Sequence, residues 1–170
     1  MTRYRTITTI LAALTILLLS AAVDLSAAHT QTATLKVTGD VTTPLSLTPA
    51  DVKALPRTKV EAKAGDRVVV YEGVRISEFL KKSGVPLGGD QGKSLAMYVL
   101  ATASDGYQAV FSIGELDPEL TNSDIIVADT VDGKPLSAEQ GQFRIVAPKD
   151  LKGARSMRML ERLEVLRIKK

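Results

Sequence analysis

The side chains that most often carry out chemistry are scarce in this sequence. Its 170 residues include no cysteine and a single histidine, His29. Without cysteine the chain has no thiolate ligand for a metal and no cysteine nucleophile. One histidine cannot supply the converging ligands of a zinc or copper site, although a histidine at a mature amino terminus can chelate copper. A serine–histidine–aspartate triad in the folded domain and both standard glycine-rich phosphate loops are also excluded.

An acidic cluster offers a second chemistry, which would use carboxylates. Paired carboxylates support acid–base catalysis, and several together bind calcium. The spacing here is not that of an EF-hand, so we expect a solvated loop with one charge at a helix start. The cluster consists of Glu115, Asp117, Glu119 and Asp124.

A basic segment near the carboxyl end offers a third chemistry, anion binding. The residues Lys152-Gly153-Ala154-Arg155-Ser156 follow the end of a predicted strand at Pro148. A glycine-containing loop with arginine and serine can hold an anion through backbone N–H groups and a guanidinium. The alternative, equally open from the pattern, is a solvated edge on which Arg155 and Arg158 pair with Glu161 or Glu164.

The elements that must position these residues are mostly strands. An alternating pattern predicts a half-buried strand at 33–39, and two strands at 57–63 and 67–72 flank a turn at Ala64-Gly65-Asp66. Val68-Val69-Val70-Tyr71 is apolar on both faces, which predicts a central buried strand. Further strands are predicted at 94–103, 107–111, 125–128, 143–147 and 162–168.

Three short helices complete the predicted elements. Thr48-Pro49-Ala50-Asp51 is a helix start, and Ser112 caps a turn that carries Glu115. A third helix carries Phe79 and Leu80 on an apolar face that we expect to pack against Val68-Val69-Val70, and Gly84 ends it. Most connections are too short for parallel crossovers, so we predict a mixed, largely antiparallel α+β domain.

The amino-terminal segment has the order of a secretory signal peptide. Arg3 and Arg5 precede an uncharged apolar run at 7–19, and Ser26-Ala27-Ala28 follows. We expect Sec-type export with cleavage after Ala28, so that residues 1–28 are removed and 29–170 form a periplasmic or secreted domain. A retained anchor is the alternative, but the run is shorter than the ~20 residues of a spanning helix.

Composition limits the class of partner. Apolar residues make up 45% of the chain and charged residues 24%, as in ordinary globular proteins. The net charge of +3, the aromatic content of 4% and the lack of tryptophan argue against a nucleic-acid partner. Contact with a membrane is expected only during export.

Six segments occur in the order found in a known family. They are LKVTG at 35–39, YEGV at 71–74 with ISEFL at 76–80, SDGY at 104–107 with FSIGEL at 111–116, DGKPL at 132–136, GQFRIVAP at 141–148 and GARSMR at 153–158. In these segments the sequence resembles the oxidoreductase molybdopterin-binding domain, the central fold of sulfite oxidases, and most of all its short exported members. The resemblance implies β-sheets with short peripheral helices and a pocket for the pterin end of molybdopterin.

The resemblance also implies which residues bind the cofactor. The loop Gly153-Ala154-Arg155-Ser156 matches a family motif that helps to hold the pterin and its phosphate. The cofactor-binding candidates are therefore Asp105, Tyr107, Arg144, Arg155, Ser156 and Arg158. The family's enzymes bind molybdenum through one cysteine, and the corresponding region, Val60 to Asp66, has none. We therefore expect no catalytic residue and no protein-ligated molybdenum.

Three functions follow from these observations. The first is an exported, non-catalytic protein that binds a pterin or molybdopterin-like small molecule and reports it to a partner protein outside the cytoplasm. The second is a component of a molybdopterin-dependent oxidoreductase that relies on another chain for redox chemistry. The third is an interaction module on a degenerate fold. The missing cysteine favours the first over the second, and Arg155, Ser156 and Arg158 favour it over the third.

Overall fold

The computed structural model describes residues 34–88 and 94–168. The predicted signal peptide and His29 lie outside these ranges. Within them, no helix is long and apolar enough to cross a membrane.

Ten strands form two five-stranded sheets, as an α+β fold with mixed and mostly antiparallel pairing. The first sheet has the order β2-β1-β10-β5-β6 and the second the order β3-β4-β7-β8, with β9 also paired to β7. The only parallel pair in these sheets joins β1 to β10. The strands are β1 Leu35–Gly39, β2 Leu45–Leu47, β3 Thr58–Ala64, β4 Arg67–Arg75, β5 Met97–Ala103, β6 Gln108–Ser112, β7 Ile126–Val131, β8 Lys134–Pro135, β9 Arg144–Val146 and β10 Leu160–Arg167.

Three short helices lie in the described part of the chain, and predicted caps begin two of them. They are α1 Pro49–Lys53, α2 Ile76–Lys82 and α3 Ile113–Leu116. Both α1 and α3 begin with a reciprocal capping box, formed by Thr48 with Asp51 and by Ser112 with Glu115. Two 3-10 turns occur at Ala138–Gln140 and Gly153–Arg155. The local capping chemistry was therefore sufficient to predict the starts of α1 and α3.

The core differs from the predicted one around β4. This strand is central in its sheet, but Val68 and Val70 are 63% and 38% exposed, so the prediction of a strand buried on both faces is wrong. Near the start of β4, only one face of the strand is buried. That face packs in a cluster that includes Val69 and Tyr71. Phe79 is fully buried, but in the larger core cluster that also contains Val74, and not against Val68.

A close approach of two strands accompanies a bulge between β4 and β7. The register between β4 and β7 shifts between Glu72 and Gly73. A Cβ atom at Gly73 would overlap the backbone of Val127 and Ala128. Only glycine lets the two backbones approach this closely at the bulge.

The acidic cluster is only in part the solvated loop that we expected, because Glu115 lies in the first turn of α3 and Glu119 is exposed but Asp117 and Asp124 are engaged by the protein. Asp117 is 1% exposed, and its carboxylate accepts hydrogen bonds from the backbone N–H groups of Gly88 and Glu119 at 2.8 and 3.0 Å. Asp124 pairs with Arg75 at 2.7 Å. No group of three or more histidine, cysteine, aspartate or glutamate residues in 34–88 and 94–168 is arranged to hold a metal. These carboxylates stabilise loops.

Candidate ligand-binding groove

One loop forms a wall of a groove beside the second sheet. This groove loop, residues 147–156, leaves β9 and returns towards β10. The Ala147 backbone N–H donates to Ser156 Oγ at 3.0 Å and closes its neck. The groove has a volume of about 260 Å³. It is lined by Ala62, Lys63, Ala147, Pro148, Lys149, Asp150, Leu151, Gly153 and Ser156.

The groove loop is fastened to the first sheet by Arg155. Its Nε and Nη2 atoms donate to the two oxygens of Asp150 at 2.9 and 2.8 Å. Its Nη1 atom donates to both oxygens of Glu115, in α3, at 3.1 and 3.0 Å. The guanidinium also lies 5.0 Å from the centroid of the Phe111 ring. Hydrogen bonds to Asp150, and to a smaller extent those to Glu115, raise the pKa of Arg155 above its ordinary value, so its guanidinium is always charged.

A second arginine fastens the loop to the second sheet. Arg144 Nη2 donates to the Ser156 carbonyl at 3.1 Å, and Nη1 donates to the Tyr71 hydroxyl at 3.0 Å. Its guanidinium lies 4.7 Å from the centroid of the Tyr71 ring. Burial lowers the pKa of Arg144 and the nearby charge of Arg158 lowers it further, while Tyr71 opposes the change. The Nε atom is buried and has no hydrogen-bond partner in the described part of the chain.

The comparison with protein families identifies the kind of domain. The model of the oxidoreductase molybdopterin binding domain matches residues 22–170. The chain belongs to this family. No curated protein sequence matches the chain.

A solved structure gives the fold independently of sequence. The crystal structure of the sulfane dehydrogenase SoxCD from Paracoccus pantotrophus is similar to this molybdopterin-binding domain, with a TM-score of 0.63 and 21% sequence identity. The match covers 85% of this chain and 40% of the SoxCD chain. The sulfite-oxidase-like fold implied by the sequence resemblance is therefore confirmed.

The structure places the predicted site residues in three positions relative to the groove. Ser156 lines it. Arg155, within the groove loop, and Arg144, outside it, hold the loop without lining the groove. Arg158 is exposed, and its contact with a ligand stays a prediction. Arg155 pairs with two carboxylates, as the alternative predicted, but they belong to Asp150 and Glu115 and not to Glu161 or Glu164.

Asp105 and Tyr107 brace the loop from outside the lining. The Tyr107 hydroxyl donates to the Ala154 carbonyl at 2.8 Å. The Asp105 carboxylate accepts from the Tyr107 backbone N–H at 3.0 Å and shapes the turn before β6. Neither residue lines the groove, and their binding role stays a prediction.

Sequence reasoning missed the lining residues Ala62, Lys63 and Lys149. The signal for the first two was present, because they belong to the segment where the family's enzymes carry cysteine. The observed side chains there are a methyl group and an ammonium, neither of which has a lone pair to ligate a metal. Lys63 and Lys149 make the groove suitable for an anionic group, since Arg155 already neutralises Asp150. The lining therefore offers cations to an anionic group and no thiolate to a metal.

Proposed function

We propose that this protein is an exported, non-catalytic binder of a pterin or a molybdopterin-type ligand. The observation that carries the proposal is the lining of the groove. Lys63 and Lys149 supply cations, while Ala62 occupies the segment where a thiolate would be needed. Family membership associates the domain with molybdopterin. The ordered signal-peptide pattern of residues 1–28 supports export.

The ligand is expected to bind through its anionic group and its planar ring. Lysine ammonium groups bind phosphate as point charges. A Cβ atom at Gly153 would have no neighbour within 4 Å, so this part of the loop backbone is open to a ligand. Leu151 is completely exposed at the same wall and offers an apolar surface to a ring or to a partner protein.

A ligand and metal analysis of protein made with its native leader tests the proposal. The purified protein is denatured and oxidised, and its pterin fluorescence and molybdenum content are measured. We expect a retained pterin, or binding of added pterin-6-carboxylate, together with less than stoichiometric molybdenum and background turnover of sulfite and sulfoxides. Stoichiometric molybdenum with turnover would contradict the non-catalytic part. An absence of any pterin binding would contradict the binding part.

The second candidate is a component of a molybdopterin-dependent oxidoreductase. Membership in an oxidoreductase family favours it. Such a component would retain the pterin and gain redox activity only with another chain that supplies the metal ligand. Turnover that appears on addition of an extracytoplasmic partner, and not before, would distinguish it from a binding protein.

A further inference from the structure

We infer that Arg155 is a positioning residue that shapes and neutralises the groove, and that the anionic group of the ligand contacts Lys63 and Lys149 instead. The inference rests on the proposed function for the identity of the ligand. The role of Arg155 in holding the loop rests only on its contacts.

The first argument is that Arg155 is already occupied. All three of its guanidinium nitrogens donate to carboxylates, two to Asp150 and one to Glu115. One side of the guanidinium lies against Phe111, which is fully buried. An anionic ligand would have to displace a bidentate carboxylate from this arginine, and such fork-shaped pairs are among the strongest polar contacts.

The second argument concerns geometry. Glu115 lies in α3, next to the first sheet, whereas Asp150 lies in the groove loop, which leaves the second sheet. Arg155 therefore connects one wall of the groove to an element 40 positions away in sequence. The hydroxyl of Tyr107 reinforces this attachment at the neighbouring Ala154 carbonyl. A loop held at these points keeps Lys149 in the lining of the groove together with Lys63. The Lys149 ammonium donates to the Asn122 carbonyl, and an ammonium has three N–H donors, so two are left for a ligand.

The third argument concerns charge. Asp150 lines the groove together with Lys63 and Lys149. Its carboxylate would oppose the two cations if it were not paired with Arg155 at 2.8 Å. Removing Arg155 would therefore weaken the attraction of the groove for an anion even if the arginine never touches the ligand.

Two readouts separate positioning from direct contact. Because the chain has no cysteine, Ala154→Cys creates a single site for a spin label, at an exposed loop residue outside the groove lining. Binding is followed with two fluorescent probes, the anionic pterin-6-carboxylate and the neutral 6-hydroxymethylpterin. The variants are Arg155→Gln, Arg155→Lys, Glu115→Gln and the double variant Arg155→Gln/Asp150→Asn. Arg162→Gln, on the exposed surface of β10, is the matched control for loss of one positive charge.

Arg155→Gln is expected to mobilise the label. It should also weaken binding of the anionic probe about tenfold, because the unpaired Asp150 carboxylate would then repel the anion. The affinity for the neutral probe should fall by a smaller factor. Adding Asp150→Asn should restore the affinity for the anionic probe, but the label should stay mobile. Arg155→Lys should keep the preference for the anionic probe and loosen the loop. Glu115→Gln should loosen the loop without weakening the anionic probe, because Asp150 keeps its pair with Arg155. The control should match the wild type.

Direct contact predicts a different set of results. Arg155→Gln would then weaken the anionic probe while the label stayed immobile, and Asp150→Asn would not restore binding. That result would overturn the inference. If the wild type bound neither probe, the proposed function would fail, and an immobile label in Arg155→Gln would still refute the positioning role. If Arg155→Gln did not fold, Glu115→Gln and Arg155→Lys would provide the same comparison.

Discussion

The Ala147 backbone N–H and the Ser156 hydroxyl oxygen lie 3.0 Å apart, and their hydrogen bond joins the two ends of the groove loop. Ala147 is 5% exposed, so water cannot easily replace this acceptor. The Ser156 carbonyl accepts from Arg144 at the same point. The serine that the family motif contributes therefore has a structural partner on each side, whatever it does for a ligand.

Replacement of this serine should destabilise the protein. Ser156→Ala leaves a buried N–H group without an acceptor, which costs roughly 1–3 kcal/mol of unfolding free energy. Urea unfolding measures the change, and Ser46→Ala, on exposed β2, is the control. A loss no larger than that of the control would mean that the loop closes without this bond.

The position of the main core should be visible in a pair of truncations. Phe79→Ala removes a fully buried ring and is expected to cost about 3–5 kcal/mol. Val68→Ala, at a side chain 63% exposed, should change stability by less than about 0.5 kcal/mol. Equal losses of unfolding free energy for the two variants, measured by chemical denaturation, would contradict this position of the core.

The close approach of β4 and β7 makes Gly73 sensitive to any side chain. Gly73→Ala places a methyl group against the backbone of Val127, and overpacking of this kind costs about 1–3 kcal/mol. Thermal unfolding would show the loss. Gly153→Ala is the matched control, because its added methyl group meets nothing within 4 Å. Similar melting temperatures for both variants would argue against the bulge.

Stability should fall in acid partly through Asp129. Burial alone would raise the pKa of Asp129, but hydrogen bonds from Arg57 and Thr130, with the charge of Arg57, outweigh it and lower the pKa. The unfolded carboxyl titrates near pH ~3.9. The Arg57–Asp129 pair therefore stabilises the fold above about pH 3.9. This contribution is lost as the pH falls through the lower pKa of Asp129 in the folded state.

Unfolding free energies of the wild type and Asp129→Asn, measured between about pH 6 and pH 2, check this expectation. The variant should lose less stability over that interval. Glu139→Gln, at an exposed carboxylate, controls for removal of one acid. Parallel curves for Asp129→Asn and the wild type would rule out a contribution from the pair.

Export makes a prediction about the mature chain. Protein produced with its native leader should begin near His29, because Ser26 and Ala28 supply the small residues that signal peptidases require. Mass spectrometry of the folded, soluble protein measures this mass directly. Recovery of that pool with an intact Met1 would contradict the prediction.

Local chemistry explains the parts of the fold that the sequence predicted. The caps at Thr48 and Ser112 and the hairpin around Gly65 involve residues within a few positions of one another. Such contacts are encoded in short patterns of residues. The exposure of Val68 was not predictable in the same way, because it depends on how far the main core extends along β4.

The candidate site was predicted only as a segment. The motif around Ser156 indicated the loop, but the partner of Arg155 in α3 is 40 residues away and leaves no local pattern. Nothing in the basic run distinguishes an arginine that holds the loop from one that faces a ligand. Lys63, on β3, was not predicted because only the fold brings it beside a loop more than 80 positions later in the sequence.

The parallel pairing of β1 with β10 has a consequence for biosynthesis. Val37 lies beside Leu163, and β10 separates β1 from β5. The first sheet therefore cannot be completed until β10 has left the ribosome, since β10 is the strand that joins its two halves. Contacts between such distant parts of a chain also slow folding. During synthesis β1 and β5 would each wait for the same partner, whereas the strands of the second sheet could already pair.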